Sequence, residues 1–253
     1  MEHVFGGRGD CDDPACSAVL LLPALLCRRH KLHRIERLTG MFAALVAIWR
    51  GLNDVRIKGY SYIWSNIAFV VCSLPLVTMP AAWSALCRVS HEAQTSPSNA
   101  DLDLFWQTFK ANIWRGMGWG LAHGLFALVN FSNLIAYADA SGMVAALRLV
   151  WLAAGVVWLA VALYTWPFYY EMATPTLWGA TRNALVMVLQ NPFFTLIILM
   201  VVGFMVWLST VLVALWLVLT FSVITAISTA AVLGELAKTY HHSQHQSRVI
   251  EDR

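Results

Sequence analysis

Charge is what this chain has least of, and its absence is concentrated. From Phe193 to Leu233 there is no Asp, Glu, Lys, Arg, His or Pro, and no charged residue stands between Arg182 and Glu235. A hydrocarbon core about 30 Å thick needs roughly 20 apolar residues as helix. The run is therefore long enough for two crossings joined by a minimal turn, and a soluble domain of this size is excluded. Hydrophobic residues make up 59% of the chain and charged ones 12%, about half the usual charged share of a soluble domain. The net charge of +3 is too small to suggest nucleic acid. The five cysteines show no paired spacing, so nothing argues for a disulfide framework. Acids are missing from every apolar segment, with Asp139, Glu171 and Glu235 at the edges. Proton-coupled carriers usually place a carboxylate in the membrane, so that chemistry is disfavoured. No Gly-x-Ser-x-Gly, His-Glu-x-x-His or Walker loop occurs, so no catalytic residue, cofactor or metal is predicted.

What is present begins with an uneven distribution of base. Nine of the 17 Lys and Arg precede Tyr60, the mark of a cytoplasmic N-terminal flank. Residues 1–40 do not resemble the rest. The short apolar run Ala18 to Leu26 is followed, not preceded, by Arg28-Arg29-His30-Lys31, which reverses the order of a secretory signal. Cys11 and Cys16 match no closed zinc site. The segment reads as a disordered or doubtful extension, with the interpretable chain starting at Met41.

From there residues 41–57 alternate as an amphipathic interfacial helix. Met41, Phe42, Leu45, Ile48, Trp49, Leu52 and Val55 lie on one side, with Arg50, Asn53, Asp54 and Arg56 between them. The segment 61–88 is interrupted by Leu74-Pro75-Leu76-Val77-Thr78-Met79-Pro80. Two prolines each remove a backbone donor, so the segment either crosses with a kink or folds back as a re-entrant hairpin. Further spans are expected over 114–137, 143–170, 193–209 and 213–233, with a polar tail over 239–253. If the broken segment returns to its own side, Arg88, Lys110, Arg115, Arg182 and Lys238 all flank cytoplasmic ends and only Arg148 faces outward. That arrangement obeys the positive-inside tendency, which favours the return. Ser98-Asn99-Ala100-Asp101 opens a second surface helix that feeds the Trp114 span. Thr174-Pro175 opens a third, ended by Asn191-Pro192.

These residues carry a resemblance. Leu74-Pro75-x-Val77-Thr78-x-Pro80-Ala81, Ala85-Leu86 and Phe105-Trp106-x-x-Phe109-Lys110-x-Asn112 resemble the YesL-like family of bacterial membrane proteins, a domain of unknown function. Tyr164-x-x-Pro167-Phe168, Arg182-Asn183-Ala184-Leu185 and Gln190-Asn191-Pro192 fit its later half. The resemblance covers about Met41 to Lys238. It implies a multi-pass protein of the bacterial inner (plasma) membrane, some of whose relatives are encoded beside carbohydrate-uptake transporters. It brings no catalytic residues.

Three features are candidates for function. Gly116-x-x-x-Gly120-x-x-x-Gly124 is a helix-packing face, for another span or for a second copy. His123, near the middle of the same span, is an ionisable group at depth; the alternative is a neutral imidazole bonded to Asn130, Asn133 or Asn66. The break at Pro75, Thr78 and Pro80 exposes backbone at membrane depth, as in transporters whose unwound segments line a site. Pro75, Thr78, Pro80, His123 and Asn130 are accordingly the candidate ligand-lining set. His241, His242 and His245 could share a helix face, but a solvated tail is the simpler reading. The expected architecture is all-α: a polytopic bundle in the lipid bilayer with a broken or re-entrant N-terminal segment, four further spans and interfacial helices. The expected role is a non-enzymatic accessory or assembly partner of a membrane complex, with transporter subunits or a homo-oligomer as partners. A small carrier or channel acting as an oligomer is the alternative.

Overall fold

The chain was analysed as a computed structural model, which describes residues 40–251. The expectations for residues 1–39, including Cys11 and Cys16, fall outside them. All regular structure among the described residues is helical. In order it comprises α1 over 40–57, α2 Gly59–Ser73, α3 Met79–Thr95, α4 Leu102–Ala136, α5 Ala145–Glu171, α6 Leu177–Gln190, α7 Pro192–Val211, α8 Val213–Val218 and α9 Thr220–Glu251. Short 3-10 turns at Pro97–Asn99 and Gly142–Val144 precede α4 and α5. Four stretches are long and apolar enough to cross a membrane: α4, α5, α7 and Thr220–Lys238 of α9. The protein is thus an all-α, multi-pass membrane bundle.

Helix starts follow local chemistry. The Asp101 carboxylate accepts from the Leu104 amide at 2.8 Å, capping α4, and Asp103 sits in its first turn. Thr176 caps α6 by accepting from Gly179 at 3.2 Å. The helix therefore starts just beyond the expected Thr174-Pro175, because the hydroxyl that can reach a free amide is the one after the proline. Pro192 occupies the first turn of α7, where its missing donor costs nothing.

The broken segment folds back on itself. Lys58 donates to the Ala93 carbonyl, and the Phe69 and Trp83 rings meet at 6.0 Å. As the position rises along α2 its partner falls along α3, so the two helices form an antiparallel hairpin with residues 74–78 at its tip. Its arms of 15 and 17 residues are about 22–25 Å long at 1.5 Å per residue, short of a full crossing. Leu74, Leu76 and Val77 are exposed at the tip, an apolar cap that suits hydrocarbon and not water. Of the two courses open to 61–88, the return is the one adopted.

Two further antiparallel pairings extend the hairpin into a layer. α3 lies on α4, where Ala81 meets Gly116 and Pro80 meets Gly120. α4 then runs on from Gly120 to Ala136, about 24 Å, alongside α5. Arg115 reaches Tyr169 at 2.8 Å near one end, and Asn130 reaches the Trp151 carbonyl at 2.8 Å near the other. Lys58, Arg88, Lys110 and Arg115 thereby all lie on the hairpin-base side of Gly120, spread along the arms from Ala93 to the level of Ala81, while Arg148, bonded to Ala138, sits at the opposite end of the layer. The hairpin tip lies between, level with Gly120.

The core forms where α9 packs on α1, α2 and α3. Residues 222–232 of α9 are buried. Ser222 donates to the Tyr62 carbonyl, the Thr225 and Ser90 hydroxyls share a bond, and Gln94 donates to the Ala226 carbonyl. α1 buries Ala44, Ala47, Ile48 and Val55 and turns Phe42, Leu45 and Trp49 outward. Gly51 is the closest approach: a Cβ there would sit 2.8 Å from the Ile227 backbone, so only glycine permits it.

Two boundaries differ from expectation. The surface helix from Leu102 and the span from Trp114 are one continuous helix, since no proline or cap separates them and Arg115 finds polar partners on α5 instead of a water-facing turn. Conversely, 213–233 is not one span. It divides at Leu219 into α8 and α9. The break is held by Asn66, fully buried on α2. Its amide donates to the Leu217 and Trp216 carbonyls at 2.8 and 3.2 Å, and its Oδ1 accepts from the Ser222 amide at 3.0 Å. Those are the backbone groups a helix interruption frees. The α9 backbone also stays helical past residue 239, into the expected tail.

Candidate functional site

The five residues expected to line a ligand site do not converge. Thr78 closes its own turn, donating from Oγ1 to the Pro75 and Cys72 carbonyls at 2.8 and 2.5 Å. Pro75 is exposed at the tip, and Pro80 packs on Gly120. Asn130 is buried at the α4–α5 contact, bonded to Trp151 and pressed against Gly155. His123 lies between the rings of Trp119 and Trp158, at 4.0 and 4.7 Å, with Nδ1 3.0 Å from the Trp119 carbonyl. No asparagine bonds it. Asn133 turns back to Val129, and Asn66 serves the α8–α9 break. Nε2 of His123 is buried with no partner, as are the indole nitrogens of Trp119 and Trp158.

The glycine face divides between two uses. A Cβ on Gly116 would lie 2.7 Å from the Ala81 Cα, and one on Gly120 would lie 2.2 Å from the Pro80 Cγ. Both glycines therefore hold α4 against the hairpin. A Cβ on Gly124, one turn beyond the tip, would meet no other helix within 4 Å among the described residues.

The densest polar chemistry lies at the basic end, in a chain of contacts that joins α3, α4 and α5. Nε2 of His91 is 2.6 Å from a Glu171 carboxylate oxygen. Arg88 pairs with Glu92 at 2.7 Å and lies 5.2 Å over the Tyr170 ring. The Tyr170 hydroxyl donates to the Ser84 carbonyl at 3.0 Å and accepts from the Asn112 amide at 3.1 Å. Asn112 Oδ1 in turn accepts from Arg115, which also donates to the Tyr169 hydroxyl. A smaller group stands beside it at the start of α2, where Asp54 accepts from Lys58 at 2.6 Å and from the Tyr62 hydroxyl at 2.5 Å. Burial first, and the neighbouring Asp54 carboxylate second, push the Tyr62 phenol up.

Sequence reasoning passed over His91 and Glu171, which are 80 positions apart. The available signal was local: Arg88, His91 and Glu92 fall within about one turn at the end of a buried helix, where ionisable groups need partners. Chemically the group is a clamp. The Ser84 hydroxyl is spent on Ala81 in its own helix at 2.8 Å and is not presented to His91 as a nucleophile would be. Among the described residues no three His, Cys, Asp or Glu side chains gather as a metal site. His91 is buried and Glu171 exposed, so the histidine is the member that depends on the contact. The clamp therefore ties α3 and α4 to the end of α5.

Residues 62–134, which comprise the hairpin and nearly all of α4, match the model of a family described as "Protein of unknown function, DUF624", the YesL-like family. No curated protein and no solved structure matches the chain.

Proposed function

We propose that this multi-pass protein is a non-enzymatic accessory or assembly partner of a membrane complex, in a cell inner (plasma) membrane with its basic end toward the cytoplasm. The observation that carries the reading is that the hairpin break is closed on itself. Thr78 satisfies the freed carbonyls, Pro80 fills the space at Gly120, and the apolar tip points outward. An unwound segment that lined a substrate path would keep such groups for the substrate. What faces outward instead is apolar and extensive: Leu121, Leu125, Leu128, Phe131 and Ile135 on α4, and Leu149, Val150 and Leu152 on α5. Gly124 opens onto the same outer half of the layer, and a small residue among large apolar ones is where a foreign span can approach closely. The partner class implied by the family resemblance is a carbohydrate-uptake transporter.

Purification in mild detergent followed by intact-complex mass spectrometry tests this. A transporter subunit held at fixed ratio is the expected result. A homo-oligomer that moves solute into liposomes would instead establish the carrier reading and overturn this one.

A further inference from the structure

A large cleft lies away from both the break and the clamp. It has a volume of about 1180 Å³ and is walled by α1, the α6–α7 junction and α9. That is above the roughly 300–1,000 Å³ of small-molecule pockets. Its floor is small-residue and apolar, including Ala43, Ala47, Ala230 and Gly234, and a Cβ on Gly234 would meet nothing within 4 Å. The rim is different. Arg50 stands on α1, Glu235 and Lys238 on α9, and Gln190 and Asn191 at the α6–α7 junction, two bases against one acid. Lys238 pairs with Glu235 and lies 5.7 Å over the Phe194 ring. Arg50 is exposed and makes no ion pair or hydrogen bond among the described residues.

Depth identifies the occupant. α7 begins its apolar course at Pro192, and the apolar stretch of α9 ends at Lys238. The cleft thus sits where two candidate spans meet one membrane surface, at headgroup level. From there its floor continues to outward-facing Phe42, Val46 and Leu189, a lipid-facing surface. A cavity with apolar walls, open sideways to lipid, with Lys238 at the end of the α9 apolar stretch and Arg50 further along the wall, complements a molecule with an acyl chain and a negative head. Basic pockets between membrane helices hold lipid headgroups in this way. We propose that this cleft is a binding site for one anionic phospholipid, its chain along the alanine and glycine floor and its phosphate between Arg50 and Lys238. The assignment is independent of the accessory role.

The full chain would be placed in nanodiscs of phosphatidylcholine with a minor fraction of phosphatidylglycerol, re-extracted in mild detergent, and its retained lipid counted by native mass spectrometry. Selective retention of about one phosphatidylglycerol per chain is expected. Arg50→Gln with Lys238→Gln should lower that retention about tenfold, in line with the worth of two surface bases less the part Lys238 already spends on Glu235. Gly234→Leu, whose Cβ has open space and whose side chain would occupy the floor, should lower it comparably, with the melting temperature measured beside it to show that the fold is kept. Equal retention of phosphatidylcholine, or retention unaffected by both variants, would overturn the proposal. So would retention that appears only after residues 2–39 are deleted, since the chain itself would then be the occupant.

Discussion

Asn66 gives the sharpest stability prediction, because a single side chain on α2 holds the interruption between α8 and α9, some 150 residues away. Replacing it with Leu keeps the approximate volume and removes three hydrogen bonds, at 2.8, 3.2 and 3.0 Å. The part-buried Leu217 and Trp216 carbonyls and the buried Ser222 amide would lose that partner. In water-soluble proteins each such group costs about 1–3 kcal/mol. Within membranes, measured side-chain bonds average about 0.6 kcal/mol and reach about 1.7. Three bonds on the membrane scale give a loss of about 2–5 kcal/mol. Asn66→Asp would keep the acceptor for Ser222 but lose the donor and bury a charge, so it should be at least as damaging. The assay is thermal unfolding in a fixed detergent, together with hydrogen exchange at the Ser222 amide. Expected are a clearly lowered melting temperature and faster exchange at Ser222. A Leu variant that melts with the parent and protects Ser222 equally would refute the claim that Asn66 holds the break.

The other predictions concern the packing face and the clamp. Gly116→Ala should destabilise by about 1–3 kcal/mol, the usual cost of overpacking, because the new methyl meets the Ala81 backbone and not a movable side chain. Gly124→Ala should change stability by less than about 0.5 kcal/mol, and thermal melts of the two variants side by side check the contrast. Glu171→Ala should cost about 0.5–1.5 kcal/mol by removing the Nε2 partner of buried His91, whose Nδ1 keeps Glu92 at 3.9 Å, and Glu171→Gln, which retains an acceptor, should cost less. Tyr169→Phe removes one partner of Arg115 and should loosen the α4–α5 end, seen as faster exchange at the amides of residues 112–115 with little change near Asn130.

Much of the architecture could be read from composition. The charge-free run, the two prolines at the break and the asymmetry of Lys and Arg each have a direct physical meaning, and the fold-back follows from the last. The division at Leu219 could not be read. Val218-Leu219-Thr220 contains no proline or glycine, and what stabilises the interruption there is Asn66, whose role is set by tertiary contact. The continuity of α4 was hidden for a related reason. Arg115 resembles an interfacial boundary until the Tyr169 hydroxyl is known to be beside it. On α1 the eye follows the large apolar residues, of which Ile48 and Val55 are buried while Phe42, Leu45 and Trp49 face outward, and the close contact is made by Ala44, Ala47 and Gly51. At the candidate site, single residues were read as separate prospects. His123 and Asn130 are each bonded to backbone, and the pairing of His91 with Glu171 required the fold.

The antiparallel hairpin orders everything that follows it, and one labelling experiment reaches it directly. With the five natural cysteines replaced, single cysteines at Gly59, Leu76, Ser98 and Ser141 would be challenged with a membrane-impermeant thiol reagent from each side of sealed vesicles. The account predicts that Gly59 and Ser98 react from one side, Ser141 from the other, and Leu76 from neither. Reaction of Ser98 from the side opposite Gly59 would mean that the segment crosses, and would contradict it.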